Sequence, residues 1–484
     1  MAGAHWKLLE EARDLERSGR GREALMAYRN LLLLHPEAAD AWAEYGDLLL
    51  SMNQAEGALN ACSKSLELAP DTSAALAGMG KALLALGRLE EAESRLERAL
   101  SVDPQKMEVR LELARCKWKQ EKLEQAQAVM GPAVEQEPDN PVVTSFLTSI
   151  YIRQKNWPAL HKEMLRRVNT DFSGSELVWE RFCVNMLFGA MDEGWALHEF
   201  RFCHPGIMTP ARQFSQPFWG GESIENRTLL LHWEQGLGDT LMFVRYAAQV
   251  KCLGARVILL AQPELAELVA TCPGVDEVVP EGSPLPDFDM QLPLLSLPRV
   301  FRTNLATIPV EVPYLRVPKR VPNRDGIREL LARSDGRIKI GLSWAGSPTH
   351  TRDAQRSIAP DAFSPLDVLQ DVAWHALQLG AIKLPPLPGI VSLAPLLSNF
   401  SDTAFALSGM DLLITVDTAL AHLAGALGIP TLILVSYLPD WRWMMGRDDS
   451  PWYPTFRIYR QPKPDDWDAV IRQVVEDLSA NQPN

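Results

Sequence analysis

Cysteine is scarce in this chain and never closely paired. The six, Cys62, Cys116, Cys183, Cys203, Cys252 and Cys272, form no C-x-x-C, which excludes zinc-ribbon and thioredoxin-like patterns. Met1 to Leu9 carry no charged-then-apolar leader, so the thiols are expected to be reduced and the chain cytoplasmic. Positive charge is also in deficit: the formal net charge is −13. Gripping nucleic acid needs concentrated Lys and Arg to neutralise phosphates, so a nucleic-acid partner is not expected. Long hydrophobic runs are missing as well. The longest, Thr418 to Leu438, is interrupted by His422, two glycines and Pro430, which predicts a buried helix followed by a strand and no transmembrane segment. No His or Cys cluster has metal spacing, and neither a Ser-His-Asp elbow nor a Walker loop occurs.

What is present is a composition of 46% hydrophobic and 23% charged residues over 484 positions. That is ample for folded cores and too long for one, so several domains are expected.

The first domain announces itself by period. Pro36, Pro70, Pro104 and Pro138 recur every 34 residues, and Ala24, Ala58, Ala92 and Ala126 keep the same spacing. Proline ends a helix because it lacks an N–H and clashes with the preceding turn, whereas alanine lets two helices approach closely. Trp42 with Leu76, Gly46 with Gly80, and Tyr28, Leu96 and Met130 fit the same register. The pattern resembles the tetratricopeptide repeat, over roughly residues 5 to 140. A fifth unit keeps Leu147, Tyr151 and Met164 but loses the alanine and proline. The array is assigned to 1–170. Its concave face is expected to bind a protein or peptide partner, the alternative being that it only spaces or stabilises the chain.

Residues 171–225 read as a helical pair (Glu176 to Gly189, Asp192 to Phe202), rich in Trp and Phe and expected to dock onto the next domain, followed by a connector from Pro205 to Ser223. Beyond it, short apolar strands alternate with helices, an α/β signature. A first lobe, 226–320, is predicted to hold strands at Thr228–Trp233, Arg256–Leu260, Glu277–Val279 and Asp289–Leu292, with helices at Asp239–Leu253 and Pro263–Thr271. A second, 321–484, follows a Pro-rich bridge (Val312 to Pro322). It is predicted to hold strands at Ile338–Ser343, Ala373–Gln378, Leu412–Thr415 and Thr431–Val435, and a terminal helix, Trp467 to Leu478, crossing back to brace the first lobe. Two Rossmann-like lobes place their ligand where the strand carboxyl ends meet.

Three segments following strands carry polar groups suited to that cleft. In Glu234-Gln235-Gly236-Leu237-Gly238-Asp239, glycines admit a close approach, and Asp239 is either an N-terminal cap or a carboxylate aimed into the cleft. In Asp417-Thr418-Ala419-Leu420-Ala421-His422, a helix N-terminus forms a pyrophosphate seat with His422 one turn inward, as ligand contact or as packed histidine. Ser343-Trp344-Ala345-Gly346-Ser347-Pro348 runs into His350, Arg352, Asp353 and Arg356, groups able to neutralise a diphosphate without a metal; a solvated loop is the alternative. The segment around Trp441-Arg442-Trp443 offers rings for stacking on a sugar or base, or else a rigid aromatic loop. Asp287-Phe288-Asp289 imitates a D-x-D metal motif but opens a predicted strand.

The G-L-G-D turn at Gly236–Asp239 and the D-T-x-x-x-H helix start at Asp417–His422 resemble the lipopolysaccharide heptosyltransferase family of GT-B glycosyltransferases, over about residues 226 to 470. The whole chain is similar to bacterial tetratricopeptide proteins carrying such a domain. The resemblance implies a tetratricopeptide solenoid followed by a GT-B-like α/β domain, and transfer of a sugar from a nucleotide sugar to a hydroxyl without metal or other cofactor. It implies Asp239 as the acceptor-activating base and Asp417, Thr418 and His422 as donor-diphosphate contacts. The family's second-lobe lysine has no counterpart, Arg356 and His350 being the candidates to replace it. By architectural analogy with the protein O-linked N-acetylglucosaminyltransferases, the acceptor is a polypeptide held by the solenoid. The alternative is a non-catalytic scaffold with a degenerate transferase domain.

Overall fold

The computed structural model describes residues 4–171, 173–204, 212–348, 353–380 and 383–480, and it falls into two compact units, Met1–Arg167 and Val168–Asn484. His350 and Arg352, and the connector stretch 205–211, lie outside the described residues.

The first unit is built from helix pairs: α1 (Ala4–Arg17) and α2 (Gly21–Leu34), α3 (Ala39–Ser51) and α4 (Ala55–Leu68), α5 (Ser73–Ala85) and α6 (Leu89–Val102), α7 (Met107–Lys119) and α8 (Leu123–Gln136), α9 (Pro141–Arg153) and α10 (Trp157–Asp171). Helices α2, α4, α6 and α8 each stop two residues before a proline of the 34-residue series. The intervening residues, His35, Ala69, Asp103 and Glu137, have swung to φ −134°, −143°, −132° and −134°, because a following proline disfavours the helical region. The four periodic alanines are fully buried. Gly46 and Gly80 face the second helix of their pair so closely that a Cβ would lie 2.6 Å from Cys62 Sγ and from Leu96 Cγ. Small residues therefore set the helix spacing, and Tyr28, Leu96 and Met130 fill what remains.

The second unit begins with α11 (Gly174–Leu187) and α12 (Met191–His198), followed by a 3-10 turn, Glu199–Cys203. This pair belongs to the α/β core: Trp195 Nε1 donates to the Thr303 carbonyl at 3.0 Å, and Phe182, Met186 and Trp195 share one apolar cluster with the strands. The first sheet has strands β1 (Thr228–His232), β2 (Arg256–Ala261), β3 (Glu277–Pro280) and β4 (Met290–Pro293), all parallel in the order β3-β2-β1-β4. Between β1 and β2 run α13 (Leu237–Phe243) and α14 (Ala247–Cys252); α15 (Ala266–Val269) and α16 (Leu297–Val300) are short. The single helix expected over Asp239–Leu253 is interrupted by a 3-10 turn at Val244–Tyr246. The buried Arg245 Nε donates to the Met242 carbonyl at 2.7 Å, engaging an acceptor that a continuous helix ladder would use. The helix expected at Pro263–Thr271 likewise starts as a 3-10 turn, Pro263–Leu265, before α15.

After α17 (Arg324–Ala332) comes the second sheet: β5 (Ile338–Ser343), β6 (Val372–Ala376), β7 (Val391–Ser392), β8 (Leu412–Val416), β9 (Thr431–Val435) and β10 (Phe456–Arg460), with α18 (Asp353–Arg356), α19 (Phe400–Ser408), α20 (Ala419–Leu427) and α21 (Trp467–Ala480). Its order is β7-β6-β5-β8-β9-β10, all parallel. Counted from β5, this is 3-2-1-4-5-6, the doubly wound arrangement whose connections reverse direction between its first and fourth strands. The terminal helix does not brace the first sheet. Its stripe Val470, Ile471 and Val474 packs with Phe363, Leu366 and Tyr459 in the cluster around β5 and β8, because its nearest unpaired apolar surface is that of its own sheet.

Candidate functional site

A cavity of about 1190 Å³ is lined by the segments that leave the carboxyl ends of β1, β5, β6, β8 and β9, the ends at which parallel sheets leave backbone groups and loops free to meet a ligand. Asp239, Gly236, Gly238, Ser343, Gly346, Arg356, Asp417, Thr418, His422, Trp441, Arg442 and Trp443 all contribute to its wall. Residues nearly two hundred positions apart are thus brought together. At Gly238 the two segments pack tightly: a Cβ there would come within 2.8 Å of His422 Cδ2 and 3.5 Å of Ala419 Cα.

Asp239 sits in the first turn of α13. Its Oδ2 accepts from the Gly236 backbone N–H at 2.9 Å, and its Oδ1 receives Arg442 NH2 at 2.5 Å. It is both a cap and a cavity carboxylate. Arg442 also donates through NH1 to Asp440 Oδ1 at 2.8 Å, stacks on Trp441 at 4.2 Å, and keeps its Nε enclosed without a partner. This guanidinium therefore ties the turn after β1 to the segment after β9. Asp417 lies beside the same group: burial and the Asp440 carboxylate push its pKa up, whereas for Asp440 the effect of burial is outweighed by Arg442 and the pKa falls.

Thr418 is the N-cap residue of α20 (φ −147°) yet makes no side-chain capping bond, and its enclosed Oγ1 has no partner. The helix start therefore leaves backbone donors and a hydroxyl at the cavity wall, a seat for an anion. His422, one turn on, is 5% exposed. Its Nδ1 pairs with Tyr453 Oη at 2.9 Å and its ring stacks on Trp443 at 5.6 Å. Burial, reinforced by Arg442, pushes its pKa down to about 3, so it is a neutral, packed histidine in the wall. Tyr453 in turn lies under Arg245, which donates to the carbonyls of Trp452 (2.7 Å) and Pro309 (3.1 Å) and to Tyr314 Oη (2.8 Å).

On the β5 side, Ser343 Oγ and the N–H groups of Trp344 and Ala345 all donate to Gln378 Oε1, at 3.0, 3.0 and 2.8 Å. Arg356 reaches across to the Asp417 carbonyl at 2.9 Å and to Asp353 at 3.3 Å. Gly346 makes this possible, since a Cβ there would lie 2.4 Å from Asp353 Oδ1 and 2.6 Å from Arg356 NH2. Trp441 and Trp443 are buried. Trp441 meets Phe182, Trp195 and Trp452, and Trp443 stacks on Phe456 at 6.0 Å. The rigid-loop alternative therefore describes their contacts. Asp289 of the D-x-D imitation accepts from the Thr228 N–H at 2.7 Å, fixing the start of β1.

Sequence reasoning missed Gln378 and Arg245, which no motif marks; Asp440 and Tyr453 lay within the Trp- and Arg-rich stretch after Leu438 but had no role assigned to them. It also missed Glu234, inside a motif but directed away from ligand chemistry: buried, it pairs with the buried Arg201 at 2.7 and 2.8 Å, beside Ser296. Trp179, Glu180, Cys183, His198 and His204, from or just after the helical pair, line the cavity too. Their density of aromatic residues was the available signal.

The first unit is a solenoid of tetratricopeptide repeats and the second an α/β unit of two parallel sheets. Models of the tetratricopeptide repeat match residues 9–72, 52–105 and 83–150. Among curated proteins, Protein FlbA of Caulobacter vibrioides is 24% identical over 331 residues, 62% of this chain and 54% of FlbA; the match thus spans about half of that relative's length. Among solved structures, Pseudomonas aeruginosa PilF is 17% identical, covering 42% of this chain and 93% of its own, with a TM-score of 0.34. PilW, a type IV pilus biogenesis factor, is 16% identical over 41% of this chain and 91% of its own, with a TM-score of 0.34. The second such domain of human RPAP3, solved with an HSP70 peptide, is 24% identical over 22% of this chain and 90% of its own, with a TM-score of 0.22. Among the described residues no helix is long and apolar enough to cross a membrane.

Proposed function

We propose that the second unit is a GT-B-type glycosyltransferase, moving a sugar from a nucleotide-sugar donor to a hydroxyl with inversion and without a metal. One observation carries the reading: Asp239 and the Asp417–His422 segment, far apart in sequence, line one cavity at the carboxyl ends of both sheets. Asp239 is the general base for the acceptor hydroxyl. Thr418 with the α20 N-terminus, and Arg356, receive the donor diphosphate where its charge grows as it leaves. His422, neutral and fixed by Tyr453 and Trp443, shapes the wall against Gly238 rather than carrying charge. Arg442 holds the Asp239 carboxylate oriented until an acceptor arrives.

In the solenoid, α5, α7 and α9 line a groove of about 450 Å³ with Lys81, Arg115, Trp118, Lys119 and Phe146 in its wall. Such inner faces are the binding surfaces of helical-repeat proteins, and a protein or peptide partner fits here.

The test is a thermal-shift panel of UDP-, GDP-, ADP- and CMP-sugars on the full chain, followed by mass analysis of the product. A ligand at about a hundred times its dissociation constant adds about 2.7 kcal/mol to the folded state. Asp239→Asn is expected to lower turnover at least about a hundredfold while the donor-induced shift persists. Unchanged turnover removes Asp239 as base.

The second reading, a scaffold with a degenerate transferase domain, is favoured by the engagement of both Asp239 carboxylate oxygens within the protein. It predicts no shift with any donor.

A further inference from the structure

The cavity wall is not built by the two sheets alone. Trp179, Glu180, Cys183 and His198 come from α11 and α12, and His204 follows directly, so a helical pair preceding β1 closes the side where Asp239 lies. Its chemistry differs from that of the α20 side. Trp179 and His204 form a half-buried aromatic pair with ring centroids 5.4 Å apart, backed by Phe182 at 5.0 Å and His198 at 6.1 Å from the indole. An aromatic surface of this kind matches the apolar C–H face of a sugar ring.

Two further observations set the character of what rests there. Glu180, Asp239 and Glu264 are carboxylates, and the two guanidiniums of the cavity wall are already engaged, Arg442 by Asp239 and Asp440 and Arg356 by Asp353 and the Asp417 carbonyl. Repulsion of this kind disfavours a phosphorylated or otherwise anionic ligand. Independently, His198 is 2% exposed and its Nδ1 has no partner in the cavity wall, while the ring is also bonded to the Leu295 carbonyl. Burial pushes its pKa well below the ordinary value. A neutral imidazole donating to a carbonyl leaves Nδ1 as an acceptor lacking a donor, and a buried acceptor gains when an O–H reaches it. The volume, about 1190 Å³, exceeds the roughly 300–1,000 Å³ usual for one small ligand, so a second ligand beside a donor has room.

We infer that α11 and α12 form an acceptor subsite for an uncharged sugar, its ring stacked on Trp179 and its hydroxyls directed to Glu180, His198 and Asp239. This rests on the transferase reading for the word acceptor; the sugar site itself does not. It puts the acceptor's specificity in the helical pair and assigns an uncharged polyol where a sugar phosphate or a serine peptide could otherwise have served.

The experiment is saturation-transfer NMR on the full chain with methyl glycosides of glucose, galactose, mannose and N-acetylglucosamine, with glucose 6-phosphate, and with acetyl-Ala-Ser-Ala-amide. At least one neutral glycoside is expected to receive saturation, the phosphate and the peptide not. Trp179→Ala is expected to weaken the glycoside at least fivefold and Trp179→Phe to restore most of it. Glu180→Lys, which needs no aromatic packing to fold, is expected to bring glucose 6-phosphate into the site. The inference is overturned by silence from all four glycosides, by preference for the peptide or phosphate, or by indifference to Trp179→Ala and Glu180→Lys. A parallel thermal shift with UDP, GDP, ADP and CDP separates the two readings. Nucleotide binding without glycoside binding leaves the transferase and removes this subsite, and the converse does the opposite.

Discussion

The solenoid and the α/β unit bury polar groups in different ways. In the solenoid, Lys117 is buried among Glu93, Glu97 and Gln125, and Lys122 and Gln120 complete the shell. All lie within neighbouring repeats, 8 to 29 positions apart. In the α/β unit, Arg245 reaches Trp452 across 207 positions and Arg442 reaches Asp239 across 203. A repeat array derives its stability from adjacent pairs, so damage stays local, whereas a core stitched by remote charged groups is expected to fail as a whole. The cavity is built from the second kind of contact.

The sharpest way to break the comparison is Arg201→Ala. It leaves Glu234 buried without a partner and is expected to cost the α/β unit about 3–5 kcal/mol, read as a lower urea midpoint for that unit, with the solenoid's helical signal melting separately. Loss of both together would mean the two do not differ in cooperativity.

Acid is the next lever. Burial pushes His232 down to about 4 and His422 to about 3, so between those values and the ordinary 6.5 the unfolded chain binds protons that the folded one refuses. Stability therefore rises with pH across that window and is withdrawn on acidification, by about 1.4 kcal/mol per pH unit for each group. Asp417, raised to about 6 by burial and Asp440, works the other way between that value and the ordinary 3.8. Between pH 7 and 5.5 these two histidines alone are expected to withdraw roughly 2–3 kcal/mol from the α/β unit, and the buried His198 and His375, also pushed down by burial, add to the loss. In the solenoid, Glu93 resists its burial through Lys117 and Lys122 and falls to about 2; its contribution is lost only as pH falls from about 4.5. Peptide-resolved hydrogen exchange, corrected for intrinsic rates, checks whether opening begins in the α/β unit.

Smaller effects sharpen the contrast from the solenoid side. Ala58→Leu overfills the contact beside Gly46 and is expected to cost about 1–3 kcal/mol, with exchange rising in α3 to α5 and not beyond. Arg88→Ala removes an exposed pair with Glu91 and is expected to leave the urea midpoint essentially where it was.

Much of the fold was legible. The 34-residue period located the helix pairs, and Ile338–Ser343 and Thr431–Val435 are strands at the expected limits because apolar runs bounded by turn residues have few other uses. The strands β7 and β10 were not foreseen: Val391–Ser392 is too short to make a pattern, and Phe456–Arg460 places Arg457 and Arg460 among its apolar residues at a sheet edge. The position of α21 was misjudged, since an apolar stripe says that a helix packs but not against which sheet.

Spacing along the chain determined the repeat solenoid, the strands and the segments that end at the cavity, because proline, alanine, glycine and apolar alternation act through neighbours a few residues away. Only the tertiary structure decided that Arg442 would hold Asp239, that His422 would be a packed, neutral ring, and that a helical pair ahead of β1 would close the cavity. Those outcomes depend on groups far apart in sequence meeting in a low-dielectric space, where burial and partner charge, rather than residue type, set what each can do.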